Sequence, residues 1–211
     1  MTIPGKTYKA MTLVEVIMAI LIVTVAMEGF TLLFARSWDT NKFIMEEGMA
    51  SAAASRATNK IIIQLRGTQQ ADNGDYPIEE AGDFDLTVYA NSDDDDAVER
   101  VHYFLDQASD QLRVGVSNPD TTTTPISYPA LDEVVSTLAT YVVNENDNPV
   151  FYYYNDNYPG DTENNPLSTP APVGSIQLIR VHLLVNIDPV HAPNNVNIES
   201  FVDLRNLHNY D

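Results

Sequence analysis

The chain contains 211 residues with 30 acidic and 11 basic side chains, which gives a formal net charge of −19 at pH 7. A surface this acidic repels phosphate backbones, so nucleic acid is not expected among its partners. The absence of cysteine excludes thiol catalysis, disulfides and cysteine-based zinc sites. Apolar residues make up 44% of the chain, which is enough for a folded core rather than a disordered acidic tail.

The first 34 residues combine a short basic segment with a long apolar one. Residues 1–10 contain two lysines and no acid, whereas residues 11–34 contain only two charges, Glu15 and Glu28. A helix of this length spans roughly 36 Å, which is enough to cross the hydrocarbon core of a bilayer. The lysines before it favour a cytoplasmic N-terminus, so the rest of the chain would be exported.

Two common kinds of N-terminal segment, a secretory signal peptide and a signal anchor, could explain this apolar stretch. A secretory signal peptide would be cut after Ala26, because Thr24 and Ala26 supply the small residues of a cleavage site. A plain signal anchor would leave Glu15 without a purpose, although an ionisable residue at membrane depth costs at least ~2.5 kcal/mol. Neither explanation accounts for Glu15, so the residues around it decide the interpretation.

The sequence Lys-Thr-Tyr-Lys-Ala before Met-Thr-Leu-Val-Glu-Val, residues 6–16, resembles the processing site of the type IV pilin family. In that family a short basic leader is removed before an apolar stretch, and the fifth residue of the mature chain is Glu. Glu15 is the fifth residue counted from Met11. The family's usual Gly before the cut is replaced by Ala10. The resemblance implies that residues 1–10 are removed between Ala10 and Met11 by a dedicated aspartic membrane peptidase, which also methylates the new N-terminus.

The resemblance also implies that residues 11–34 are both a membrane anchor and the assembly half of one long helix. In a filament, a neighbour's Met11 amine would pair with Glu15 inside an apolar sheath and so enforce axial register. The implied partners are other pilin-like subunits, the prepilin peptidase and methyltransferase, and the cytoplasmic membrane. The chain would cross that membrane once, with its head outside the cytoplasm.

Residues 35–66 predict the second, amphipathic half of that helix, packed on the head. They contain no proline and are rich in good helix formers. Apolar residues recur at helical spacing, which predicts a buried stripe. Its members are Phe43, Ala50, Ala54, Ala57, Ile61 and Leu65. Gly67 after Arg66 predicts the end of the helix.

From residue 67 onward the pattern changes to the alternation of antiparallel strands, and residues 67–211 predict a β-rich head. Strands are expected at residues 83–90, 98–105, 112–116, 150–154, 175–187 and 197–205. The last of these buries either Val202 and its alternate neighbours or the face with Phe201. The fold class is therefore α+β: one long N-terminal helix followed by an antiparallel sheet, as in a pilin.

Two segments between these strands have a less regular pattern. Residues 131–138 favour a helical turn that leads into a strand near residues 140–143. Residues 155–174 contain four prolines and several Asn and Asp, and they favour a long ordered loop.

The sequence contains no recognisable catalytic motif, so an enzyme is not expected. The four histidines are scattered, and no phosphate-binding loop, nucleophile elbow or zinc-protease motif is found. His102 alternates with its neighbours in a predicted strand, which favours a sheet-face residue over a base.

Two acidic loops are candidate calcium sites, because hard cations take carboxylate oxygens as ligands. No cofactor is expected, and Ca²⁺ is the one candidate ligand. The first loop is the hairpin tip with Asp93, Asp94, Asp95 and Asp96, and the second contains Asp156 and Asp161. A solvated hairpin tip that blocks edge-to-edge aggregation is the competing interpretation of the first.

The C-terminal region resembles larger minor pilins and minor pseudopilins, which assemble at filament tips in pilus and type II secretion machines. The resemblance rests on the aromatic run at residues 151–154, the Pro- and Asn-rich loop after it, and the final strand. We therefore expect a structural filament subunit of this kind. The alternative is a monomeric membrane-anchored extracytoplasmic binding domain, which would keep its N-terminus or lose it after Ala26.

Overall fold

The computed structural model describes residues 10–93, 95–187 and 195–204. Most of the predicted leader, residues 1–9, lies outside this description, as does Asp94. The described chain forms one long helix followed by two antiparallel sheets, an α+β layout consistent with a pilin-like fold. The helix α1 is Leu13–Arg66, and the strands are β1 Ile78–Ala81, β2 Asp85–Ala90, β3 Glu99–Asp106, β4 Gln111–Ser117, β5 Val134–Thr140, β6 Phe151–Tyr154, β7 Leu178–Val185 and β8 Val196–Asp203.

The helix α1 continues through both predicted halves, because no proline interrupts its hydrogen bonds. It ends where the sequence predicts. The Gly67 N–H donates to the Gln64 carbonyl at 2.9 Å, and the Thr68 N–H donates to the Leu65 carbonyl at 3.2 Å. These bonds tighten the last turn and satisfy carbonyls that the helix leaves open. The chain divides into two compact units after Glu46, so α1 contributes residues to both.

Strands β1 to β5 form one antiparallel sheet in chain order, a meander in which sequence neighbours pair. The predicted hairpin is confirmed, with Thr87 opposite His102. The predicted third strand is confirmed as well, with Tyr103 opposite Val114. The sequence did not reveal β1, because four residues contain too few alternations to stand out.

The helical turn predicted for residues 131–138 is wrong in extent. A single 3₁₀ turn covers Ala130–Asp132, and β5 begins at Val134 and pairs with β4. Two valines and a threonine at the start of β5 are β-branched, which disfavours a helix, and β4 offers an open edge. The strand predicted near residues 140–143 is therefore placed several residues too late.

Strands β6, β7 and β8 form a second antiparallel sheet with β7 in the middle. All three correspond to predicted strands. The two possibilities for β8 are resolved in favour of the first, because Val202 and the following Leu204 are buried while Phe201 is 42% exposed.

The two sheets are joined at the turn between β1 and β2. The Tyr153 hydroxyl donates to the Gly82 carbonyl at 2.7 Å, and the Phe151 N–H donates to the Asp83 carbonyl at 3.1 Å. Because both aromatic side chains are fully buried, these bonds fix the second sheet against the first at a dry position.

The sheets share one hydrophobic core with the C-terminal part of α1. The predicted stripe is confirmed from its second member onward, since Ala50, Ala54, Ala57, Ile61 and Leu65 are all buried, whereas Phe43 is half-buried. The alanines leave room for the close packing that protein interiors require. The Tyr103 hydroxyl donates to the Gln64 side-chain oxygen at 2.6 Å, which fixes β3 against the helix.

Candidate functional site

The residues singled out for processing and assembly lie at the start of α1. Ala10 and Met11 precede the helix and are exposed, and Glu15 is an exposed residue of the first turn. An exposed peptide bond outside regular structure is what a protease needs in order to bind its substrate in an extended form.

Glu15 forms a capping box with Thr12. The Glu15 N–H donates to the Thr12 hydroxyl at 3.3 Å, and the Thr12 N–H donates to the Glu15 carboxylate at 2.9 Å. The spacing Thr-x-x-Glu signals this arrangement in a sequence, and it is not among the features predicted above. The Thr12 hydroxyl also reaches Oε2 of Glu15, at 3.1 Å. Oε1 is left without a partner among the described residues, so capping and a second interaction are compatible.

Every residue of α1 from Leu13 to Phe34 is exposed. The hydroxyl groups of Thr24 and Thr31 donate to the carbonyls four residues earlier, each at 2.8 Å. Hydrocarbon offers no hydrogen-bonding partners, so polar groups have to be satisfied within the helix. By its length and composition, α1 could cross a membrane near its N-terminal end.

The hairpin between β2 and β3 brings three carboxylates together. Ligand oxygens of Asp93, Asp95 and Glu99 all lie within 4.8 Å of one another. The two aspartates are exposed, whereas Glu99 is 1% exposed and accepts a hydrogen bond from the Ser92 N–H at 2.6 Å. The group differs from the predicted one, since it does not include Asp96. Glu99 belongs to β3, and only closure of the hairpin brings it to the tip, so sequence spacing did not indicate it.

In the second acidic loop, the Asp161 carboxylate accepts hydrogen bonds from the loop itself. The Asn164 side-chain amide donates to Asp161 at 2.8 Å, and the Glu163 and Asn164 N–H groups donate to it at 3.2 Å. These bonds lower the pKa of Asp161, and the bond from the Asn164 side chain has the largest effect. Asp156 is exposed and joins no carboxylate group in the described part of the chain. The loop is ordered by these hydrogen bonds.

His102 lies on the outer face of the first sheet, as the sequence favours. Its Nδ1 is 3.2 Å from Oε1 of Glu133, and its ring stacks on Phe104 with 4.8 Å between centroids. Gly115 on β4 leaves the space for this pair, because a Cβ there would collide with the Glu133 carboxylate. The pair therefore ties the beginning of β5 to β3.

The aromatic run of β6 is divided between the two faces of the second sheet. Tyr153 is fully buried in the core, whereas Tyr152 lies on the outer face with the Arg180 guanidinium 3.9 Å from its ring centroid. Arg180 also lies 3.8 Å from Glu199. Its charge is therefore shared between an aromatic ring and a carboxylate of its own sheet.

Comparison with protein-family models, with curated proteins and with solved structures found no match for this chain. The functional conclusion therefore depends on the start of α1, on the apolar stretch that follows it and on the distribution of charge.

Proposed function

We propose that this protein is a structural subunit of a type IV pilin-like filament, and that it is a minor pilin or minor pseudopilin. The observation that carries the proposal is the single helix α1, which begins two residues after Met11 and contains both the exposed apolar stretch and the stripe buried in the head. A cut after Ala26 would divide this helix, whereas a cut before Met11 leaves it whole.

In this proposal a prepilin peptidase in the cytoplasmic membrane removes residues 1–10 and methylates the amine of Met11. Removal of the leader takes away two lysines and changes the formal charge from −19 to −21. The apolar stretch then holds the mature chain in the membrane as a single-pass protein, with the head extracytoplasmic. Assembly transfers it into an envelope or surface filament of pilin-like subunits.

Glu15 has two roles in the proposed filament. Thr12 occupies Oε2 of its carboxylate, and the Met11 amine of a neighbouring subunit donates to Oε1. A pair of opposite charges in an apolar sheath is costly to separate, so it enforces the axial position of one subunit against the next.

Mass spectrometry of the N-terminal peptide, isolated from membranes, tests the proposal directly. The expected peptide begins at Met11 and carries a methyl group on its amine. Ala10→Gly restores the residue usual in the family and is expected to be processed at least as well, whereas Ala10→Leu places a bulky residue at the cut and is expected to accumulate unprocessed chain.

Either of two other N-termini would contradict the proposal. An intact Met1 would favour the monomeric membrane-anchored binding domain. A start at Met27 would show that the apolar stretch is a cleaved signal peptide.

A further inference from the structure

In the compact unit formed by residues 47–211, charge is distributed very unevenly between the helix and the β-rich head. Residues 67–211 contain 25 acidic and 4 basic side chains, for a net charge of −21. Residues 47–66, the part of α1 in the same compact unit, contain three basic side chains and one acidic one. The acidic head therefore carries a small basic surface on its helix.

That basic surface is one continuous face of α1, here called the helix face and defined as Met49, Arg56, Asn59, Lys60 and Ile63. All five residues are exposed, Met49 and Ile63 by 60% and 68%. Their spacing places them along the side of the helix opposite the buried stripe. Neither cation of this face forms a salt bridge with any residue that the structure describes, although the chain has a large excess of acid.

A concave surface of opposite character occurs in the same unit, here called the acidic cavity. It has a volume of about 830 Å³ and lies between the β3–β4 turn and the loop after β5. Its acidic lining consists of Asp110, Glu145 and Asp147, which are exposed and form no salt bridge with a described residue. None of the described residues that line the cavity is cationic. Val143 and Leu184, both half-buried, supply apolar surface.

We infer that the helix face of one copy of this chain docks on the acidic cavity of a second copy. The two surfaces are complementary in charge, and each combines its charges with exposed or half-buried apolar side chains, as interfaces do. Since the two patches are different, the contact is heterologous: one copy keeps its acidic cavity free and the other keeps its helix face free. Such contacts propagate into open assemblies unless the rotation closes a ring.

This inference builds on the proposed function, because it names the contact between heads of subunits that the N-terminal helices bring together. It requires neither leader cleavage nor the Glu15 pair. The two proposals can therefore fail separately.

Disulfide cross-linking of the full chain in lipid vesicles tests the contact, since the chain has no cysteine of its own. One population carries Asn59→Cys in the helix face, and the other carries Asn146→Cys beside the acidic cavity; both positions are exposed. The control partner carries Thr121→Cys, which is exposed in the loop at the opposite end of β4. We expect the Asn59–Asn146 heterodimer to form about tenfold faster than the control pair at low ionic strength. It should lose this advantage near 1 M salt, where strong screening makes charge interactions short-ranged.

Charge reversal then identifies the groups involved. Arg56→Glu with Lys60→Glu is expected to slow heterodimer formation about tenfold, and Arg56→Gln with Lys60→Gln to slow it less. Asp110→Lys, Glu145→Lys and Asp147→Lys in the partner population are expected to restore the rate for the reversed helix face. Equal rates for the Asn146 and Thr121 partners, indifference to reversal, or failure of the reversed cavity to restore the rate would overturn the inference. A preserved cross-link in a chain whose N-terminus is still Met1 would leave this contact standing and reject the filament function.

Discussion

The two parts of α1 use their apolar residues in opposite ways. Between Leu13 and Phe34 the apolar side chains are exposed on all sides, whereas between Ala50 and Leu65 they form one stripe that the sheets cover. A stripe is sufficient to join a helix to its own domain, but a helix that is apolar all round needs an apolar environment from outside. The protein's own sheets therefore bury the second part, whereas the first part is left for an apolar environment outside the chain, such as a membrane.

The largest expected effect is on stability, and it compares the buried stripe of α1 with the exposed side of the same helical turn. Ile61 is fully buried and Ile63 is 68% exposed. Ile61→Ala is expected to lower the free energy of unfolding by about 3 kcal/mol, because it leaves a cavity in the core. Ile63→Ala, the matched control, is expected to change it by less than about 0.5 kcal/mol. Urea unfolding of the full chain in detergent, followed by tyrosine fluorescence, measures both, and equal effects would contradict the difference between the two sides.

The next effect concerns the exposed part of α1 and distinguishes charge from capping. Glu15→Gln keeps a side chain that can complete the capping box but removes the charge, and it is expected to lower incorporation into filaments about tenfold or more. Thr12→Ala removes the cap hydroxyl but keeps the charge, and it is expected to have a much smaller effect. Both variants should still be inserted and cleaved, as judged by the mass of the N-terminal peptide.

Glu28→Gln is the position control for the Glu15 variants, because it removes a charge near the other end of the apolar stretch. We expect its incorporation to stay close to that of the wild type. Normal filament incorporation of Glu15→Gln would show that the charge of Glu15 has no role beyond the helix cap.

A smaller effect is expected from lowering the pH, which weakens an ion pair in the first sheet and leaves the helix unaffected. Burial works to raise the pKa of Glu79, but the hydrogen bond and charge of Arg100 outweigh it and hold this pKa below its usual value. The two groups are joined at 2.6 Å and 3.1 Å, and the Tyr89 hydroxyl also donates to Glu79 at 3.0 Å. A lowered pKa in the folded state means that the stabilisation is fully present above about pH 4.5 and is lost as the pH falls below that value.

Glu79→Gln should therefore cost less than about 1 kcal/mol at pH 7, since Glu79 is partly exposed, and should cost progressively less as the pH falls below about 4.5. Its neighbour Glu80 is exposed and forms no ion pair with a described residue, so Glu80→Gln is the control. Urea unfolding at a series of pH values measures the difference. A cost for Glu79→Gln that grows at low pH would contradict the assigned sign.

The smallest expected effect is that of calcium, because the head is held by its own core and the 155–165 loop by its own hydrogen bonds. Millimolar Ca²⁺, compared with a chelator, is expected to raise the midpoint of thermal unfolding of the full chain by less than about 2 °C. A larger rise that disappears in Asp93→Asn with Asp95→Asn would identify the hairpin carboxylates as a calcium site. A larger rise that disappears in Asp161→Asn would instead place the site in the loop.

Local patterns were good guides to the elements and poor guides to contacts between them. The stripe from Ala50 to Leu65, the end of α1 at Gly67 and most strands follow from periodicity and from the turn residues between them. The strand β1 and the early start of β5 did not, because each depends on an open edge of a neighbouring strand. The capping box of Thr12 and Glu15 was within reach of the sequence, since its spacing is local.

Properties that depend on neighbours within a few residues can be read from the order of the amino acids alone. These are the apolar stretch that begins at Met11, the position of Glu15, the helical stripe, the strand alternation and the net charge of −19. Properties that depend on residues far apart in the chain arise only when the sheets fold onto the helix. Tertiary structure brought Glu99 to the aspartates of its hairpin, placed Glu133 over Gly115, and left an acidic cavity and a basic helix face in one unit. The physical reason is that backbone preference and side-chain periodicity act locally, whereas the packing of sheets on a helix is set by the whole core.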